Sequence, residues 1–281
     1  MNHSENRLLA IVSSQVFQAL QPHLKVSEFE QGTVLAENGR PVTEVYFPYS
    51  GIVSLVVELK EGDMVEAAMV GRDGVVNAAS ALDGRVSLNK AIVQARAFLA
   101  VVPVPIVVTV ADQHRDLRSL FIRHEQVLLA QSQQSGACNA SHLVETRLCR
   151  WLLRTRDLVQ SDELNITQEF LGQMLGVRRT SISVIASTLQ RAGLIRYRRG
   201  HVKILDVEGL REGACECYET VRGHYEQMLA PPHATTIEEE SHFPSGTRRR
   251  HIRLPFASPR RGYVTRTPLT SSHPHVSHSK V

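Results

Sequence analysis

A chain of 281 residues, 42% hydrophobic and 21% charged, has the apolar content of a globular body of one to two domains. No apolar run approaches the length needed to span a bilayer, and the N-terminus lacks the charged-then-apolar order of a secretion signal, so the sequence reads as cytoplasmic. The net charge of +4 is unevenly spread: residues 1–142 carry −3, residues 143–210 +4, residues 211–230 −2 and residues 231–281 +5. One basic segment on a near-neutral body is the pattern of a nucleic-acid binder.

From Asn6 to about Leu24, Leu8, Leu9, Val12, Val16, Phe17 and Leu20 recur at helical spacing, and Pro22 marks the end of a predicted helix. From Lys25 the character changes. Short β-branched and aromatic runs are punctuated by Gly32, Gly39, Pro41, Pro48, Gly51, Gly62 and Gly71, which predicts a small barrel or sandwich of short strands running on to about Val108. After Ala111 a stripe of Leu117, Leu120, Phe121, His124, Val127 and Leu128 predicts a helix from about Gln113 to Cys138. A parallel copy of itself is the simplest partner for so narrow a stripe; the chain's own barrel is the other. A second helix follows with Ser141 as N-cap and Leu148, Trp151, Leu152 and Leu158 on its core face, and Asp162-Glu163 breaks it. A last helix ends near Tyr225 or Leu229. Residues 231–281 hold 7 of the 12 prolines and 6 of the 13 histidines without periodicity, which predicts a disordered basic tail and no metal site.

The segment from Ile166 to Asp206 carries the motif. Thr167 caps a short helix, Gly176 permits a tight turn, and a second helix from about Arg178 buries Ile182, Ile185, Ala186 and Leu189. "RAGLI" ends that helix, and "IRYRRGHVKIL" is a hairpin turning at Arg199-Gly200. Helix, turn, recognition helix and β-wing make a winged helix-turn-helix. Arg178, Arg179, Thr180 and Ser183 lie outward near the start of the second helix, within reach of base edges, and Ser187 and Gln190 follow on the same face. Arg198, Arg199, His201 and Lys203 on the wing, with Thr167 and Gln168 at the first helix's N-terminus, suit phosphates. Two arginines at a helix start oppose the helix dipole, so the expected negative partner is double-stranded DNA.

The order of strands, long helix and winged helix resembles the Crp/Fnr family of bacterial transcription regulators. "FEQGTVLAENG" with "YFPYSGIVSL" is similar to that family's cyclic-nucleotide-binding-type β-roll, and "ITQEFLGQMLGVRRTSISVIASTLQRAGLI" to its helix-turn-helix. The resemblance covers about residues 6–230. It implies an α+β fold: a jelly-roll-like β-roll sensor domain over 1–111, a dimerisation helix and hinge over 112–140, and a winged helix-turn-helix over 141–230. It implies a homodimer on a two-fold operator, with room for contact with RNA polymerase, and places the dimer seam on Leu117, Leu120, Phe121, His124, Val127 and Leu128. At the family's guanine-reading position stands Arg179. Its usual acidic reader is Thr180 here, and a second arginine reader is Val184.

Against that pattern the family's ribose-binding Gly-Glu pair falls on Gly71-Arg72, which reverses the charge, and its phosphate-binding Arg-Ser pair falls near Asn89-Lys90. Cyclic AMP is therefore not the expected effector. Arg72, Asp73, Asn89 and Lys90 frame a candidate pocket for a different small anion, against which stands the plainer reading of a surface ion pair. The effector is unknown; a regulator that responds to a cyclic nucleotide or another small anion is the first alternative, and an effector-binding or scaffold protein that kept the fold without binding DNA is the second. No cofactor is expected. The first cysteine is Cys138, so the family's N-terminal iron–sulfur ligands are missing. Cys138, near the hinge, and Cys149 read as small buried residues before they read as a thiol switch. Cys215 and Cys217 diverge if helical and could share a metal only on a loop. No metal site is assigned. Without a Gly-rich phosphate loop, a metal-binding His pair or a nucleophile with a placed base, an enzyme is not expected either.

Overall fold

Asn6 starts the first helix by accepting from the backbone N–H groups of Leu8 and Leu9. The predicted single N-terminal helix is in fact α1 (Arg7–Ala10) and α2 (Ser14–Leu20), because Ser13 caps a new start and interrupts the first. The computed structural model describes residues 5–60, 62–84 and 86–230; the basic tail expected over 231–281 lies outside the described residues.

Seven strands form the β-roll: β1 (Lys25–Phe29), β2 (Val34–Ala36), β3 (Glu44–Pro48), β4 (Ile52–Glu58), β5 (Met64–Val70), β6 (Lys90–Ala95) and β7 (Ala97–Pro103). They make two antiparallel sheets, ordered β1-β7-β3 and β2-β6-β4-β5. Alternating Val, Ile, Leu and Ala close a core between them around Tyr46, Val53, Val70, Val93 and Leu99. Two helices were not foreseen. α3 (Ala78–Asp83) is a short helix of small residues, and α4 (Val104–Gln113) was read as strand because its apolar run has no helical punctuation beyond Pro105 near its start.

α5 (Arg115–Ser141) is the long helix. Its apolar stripe is not a free seam. Leu117, Leu120, Phe121 and His124 are buried, with Phe47, Val75, Val221 and Tyr225 in the same core, and Leu128 closes the β-roll core. The expectation that these residues, with the half-buried Val127, meet a second chain is corrected: their contact surface is already covered within one chain. The outward face carries Ile122 and Leu129 instead, 53% and 60% exposed and one heptad apart.

α6 (Val144–Val159) begins after α5 rather than at Ser141, which is the last residue of α5. β8 (Glu163–Asn165) then supplies a third strand to the wing, in the order β8-β10-β9, with β9 (Ile195–Arg198) and β10 (His201–Ile204). Between them lie α7 (Gln168–Leu175) and α8 (Arg179–Arg191). α9 (Val207–Gly213) packs on α6, and α10 (Cys217–Leu229) closes the domain and returns to pack on α5. The β-roll and winged helix share one hydrophobic core: Ile52, Val56 and Met69 from the roll pack with Leu148, Trp151, Leu152 and Leu175.

Candidate nucleic-acid interface

The helix-turn-helix is built from local rules. Thr167 Oγ1 accepts from the Phe170 N–H, capping α7. Gly176 ends α7 at φ +62°, a conformation that disfavours any side chain, and the Val177 N–H then bonds back to the Gly172 carbonyl at 2.8 Å. A Cβ on Gly172 would meet that loop at 2.8 Å from the Val177 oxygen, so both glycines set the turn. Four buried side chains, Ile182, Ile185, Ala186 and Leu189, fix the rotation of α8. Arg179, Thr180, Val184, Ser187 and Gln190 are thereby exposed along one face.

The expected DNA contacts are not alike. Arg178 occupies the N-cap position of α8 in extended conformation, with no side-chain cap bond; Arg179 is the first helical residue. Arg178, Arg179, Arg198 and Arg199 are all exposed, and none forms a salt bridge among the described residues. Thr180 is exposed as well. Ser183 Oγ donates to Gln168 Oε1 at 2.6 Å, which ties α8 to the start of α7. Gln190 Oε1 accepts from the Tyr197 N–H and pins the wing to α8. Lys203 is paired with Glu163 at 2.8 Å, and His201 Nδ1 lies 2.6 Å from Asn165 Oδ1. Both partners sit on β8, the strand that sequence reasoning did not find. Val184, 59% exposed, belongs to the outward face and was noted only as a replaced reader.

At the wing tip Arg199 and Gly200 have φ of +47° and +81°. Two left-handed residues joining two strands make the type I′ hairpin turn, for which asparagine-glycine is the ordinary choice. An arginine there is strained, and its charge projects at the tip.

Arginines and acids of opposite sign join the winged helix to the roll. Arg154 Nη1 meets Asp73 at 2.8 Å with both side chains buried, and its guanidinium lies 4.4 Å from the Tyr225 ring centre. Trp151 Nε1 donates to Glu66 Oε1 at 3.0 Å, and Ser54 Oγ donates to Glu66 Oε2 at 2.6 Å. Burial pushes the Glu66 carboxyl up to about 7, against these two hydrogen bonds. His124 Nε2 accepts from the Val75 N–H at 3.3 Å, and burial holds the imidazole down to about 4. Asp73, His124, Trp151 and Tyr225 are named by the sequence in other roles, whereas Ser54, Glu66 and Arg154 are not, because a domain interface leaves no periodic signal.

The four candidate effector residues separate. Arg72 and Asp73 line a cavity of about 210 Å³ with Arg7, Arg154, Arg222 and Tyr225; Arg72 hydrogen-bonds to Gln160. Asn89 and Lys90 are not among its lining residues. Lys90 sits between Glu37 at 3.4 Å and Glu58 at 3.2 Å, an ion-pair cluster.

A β-roll joined through a long helix to a winged helix whose recognition face is cationic defines a sequence-reading DNA-binding protein. Residues 146–212 match the family model described as the Crp-like helix-turn-helix domain. The transcriptional regulatory protein btr of Bordetella pertussis is 24% identical over 196 residues, 65% of this chain and 78% of that one. A Crp/Fnr-family transcriptional regulator of Eubacterium rectale superposes with a TM-score of 0.59 at 17% identity, over 75% of this chain and 98% of its own. FixK2 of Bradyrhizobium japonicum gives 0.59 at 13% identity, over 68% and 98%, and a CRP-family regulator of Thermus thermophilus 0.57 at 20%, over 67% and 96%. The chain carries a Crp-like helix-turn-helix domain and is a DNA-binding transcription regulator.

Proposed function

We propose that the regulator works as a homodimer in the cytoplasm, with two copies of α8 in successive major grooves of a two-fold operator and the wing tips on flanking phosphates. The observation that carries this is the set of four unpaired arginines, Arg178, Arg179, Arg198 and Arg199, on the recognition helix and wing. Arg179, with Thr180 beside it, reads base edges; Val184 offers a methyl surface to thymine; Arg178, Arg198 and Arg199 hold phosphate. Thr167 and Gln168 at the start of α7 approach the backbone, while Ser183 orients Gln168. Lys203 contributes only after leaving Glu163.

Two copies join along the outward face of α5 through Ile122 and Leu129, not through the buried stripe. The effector is not cyclic AMP: Lys90 stands between two carboxylates, and the acidic ribose-binding position is Arg72. A small anion has a better seat in the cavity of Arg72, Arg154 and Arg222, where Arg154 Nε and Nη2 carry no hydrogen bond.

Selection of bound genomic fragments by the purified chain tests the reading. A shared two-fold sequence is expected, with affinity falling steeply with salt, about 0.9 in log–log slope for each phosphate contact. Fragments recovered at random, or no salt dependence, refute it. Ile122→Glu combined with Leu129→Glu gives monomers in sedimentation while the fold survives; a double variant that stays dimeric moves the seam elsewhere.

A further inference from the structure

Four residues that the DNA-binding reading does not use converge at the joint between α5 and the end of the winged helix. Cys138 and His142 come from the C-terminal end of α5, four residues apart. Cys215 lies in the connection after α9, and Cys217 is the first residue of α10. Their three sulfurs and one imidazole nitrogen all lie within 4.8 Å of one another. Cys138 Sγ is 3.5 Å from Cys215 Sγ, and Cys217 Sγ is 3.5 Å from His142 Nδ1. The condition under which Cys215 and Cys217 can share a metal, a loop rather than a helix between them, is met. The paired approach of Cys138 and His142 was not foreseen.

Donors bound about 2.3 Å from one tetrahedral ion sit about 3.7 Å from each other. The observed set, with two separations of 3.5 Å and none above 4.8 Å, is close to that spacing. Thiolates shared over several irons of a cluster would have to stand farther apart. The surroundings also suit an ion. His142 Nε2 faces Glu216 Oε1 at 3.3 Å, so its other nitrogen, Nδ1, is left toward the sulfurs; an imidazole ligand oriented by a carboxylate is the usual arrangement around zinc. Gln134 Nε2 donates to Cys217 Sγ at 3.0 Å, a bond that favours thiolate. Arg147 and Arg150 on α6 act electrostatically on Cys138, and Arg147 also on Cys215, which offsets the net negative charge of three thiolates around a divalent ion. The three buried sulfurs form a cluster of their own, apart from the apolar cores that ordinary buried cysteines join.

We propose that Cys138, Cys215 and Cys217 through Sγ, with His142 through Nδ1, bind a single thiophilic divalent ion of the zinc class. Four protein ligands leave no open position, so the ion is structural. It pins the end of α5 to the α9–α10 connection. Arg147, beside the sulfurs, donates to the carbonyl of Leu175 at the end of α7, so the site also bears on the helix-turn-helix.

Cobalt(II) titration of the full reduced, metal-stripped chain under anaerobic conditions tests this, with no DNA needed. One equivalent is expected to give a thiolate-to-cobalt charge-transfer band and the strong red absorption of tetrahedral cobalt, and zinc should displace it. Zinc at about a thousand times its dissociation constant should raise the unfolding midpoint by roughly 10 °C. Cys215→Ser should abolish the band. Cys149→Ser, outside the donor set, should keep it. Glu216→Gln, on the surface, should weaken binding about 10-fold or more. If Cys215→Ser fails to fold, the wild-type titration and Glu216→Gln still decide. No band in the reduced wild-type chain overturns the proposal. So does an iron–sulfur absorption with labile sulfide after anaerobic purification, or a band that Cys149→Ser removes and Cys215→Ser spares.

Discussion

Arginine plays opposite parts in two regions of the winged-helix domain. Arg147 and Arg154 on α6 are buried and partnered within the chain, by the Leu175 carbonyl and by Asp73. Arg178, Arg179, Arg198 and Arg199 are exposed and have no internal acid. A buried cation must bring its counter-charge with it, because unpaired charge is too costly inside a protein. An exposed cation at a helix N-terminus or a strained turn tip costs stability and gains nothing internally. Arg154 therefore holds the domain on the β-roll, and Arg147 ties α6 to the end of α7; the exposed set awaits an external anion.

Breaking the buried set should have the largest effect. Arg154→Met leaves Asp73 buried without its partner and is expected to cost about 3–5 kcal/mol, with loss of docking between winged helix and roll. Adding Asp73→Leu should restore most of that stability, since removing both charges removes the penalty. Chemical denaturation of the single and double variants measures both. A single variant as stable as the parent would mean that the Arg154–Asp73 pair does not hold the joint.

The buried titratable groups sharpen the same point through pH. Glu66 has its folded pKa raised to about 7, so the folded state binds the proton more tightly; its contribution is fully favourable below the unfolded value near 4.5 and fades as pH rises to about 7. His124 has its folded pKa lowered to about 4, so its contribution grows from about pH 4 to pH 6.5 and is lost in acid. The windows overlap with opposite signs, and stability of the parent should vary little between pH 4.5 and 6.5. Glu66→Gln should unmask a rise with pH, and His124→Gln a fall, each of about 1–3 kcal/mol across the window. Thermal melts at several pH values would show it; parallel curves for all three proteins would remove both groups from the account.

On the exposed set, Arg179→Ala should cost about 1–3 kcal/mol on specific DNA and relax preference at one base pair of each half-site. Arg178→Ala should weaken every sequence alike and lower the salt slope by roughly one unit per site. Equal losses on operator and random DNA for Arg179→Ala would make both arginines phosphate clamps.

How much was legible beforehand follows from what each element depends on. The helix-turn-helix rests on neighbours in sequence: the Thr167 cap, the Gly176 turn and the apolar spacing of Ile182, Ile185 and Leu189. All of it could be read, to within a residue at Arg178. The dimer seam could not be placed. The stripe from Leu117 to Leu128 is apolar whether it meets a second α5 or the chain's own β-roll and α10, and periodicity does not distinguish them. β8 escaped because three residues, Glu163, Leu164 and Asn165, carry no alternation, yet it decides the state of Lys203 and His201. The cysteine–histidine cluster escaped for a third reason: its halves lie more than seventy residues apart and only the return of α10 to α5 joins them.

The smallest expected effect lies at the wing tip, where the two demands meet on one residue. Arg199 holds a left-handed backbone that asparagine adopts with far less strain, ahead of Gly200 in a type I′ turn. If stability alone were selected, asparagine would be the better residue, and Arg199→Asn should stabilise the fold by roughly 0.5–1 kcal/mol. The same change removes a cation from the tip. If that cation serves DNA, affinity for all duplexes should fall and the salt slope should drop by about one for each wing, with the preferred operator sequence unchanged. Melting curves and binding isotherms on one variant therefore report opposite signs. A variant that is more stable and binds DNA as tightly as the parent would detach the strained turn from DNA binding and leave Arg198 as the wing's only unpaired arginine on phosphate.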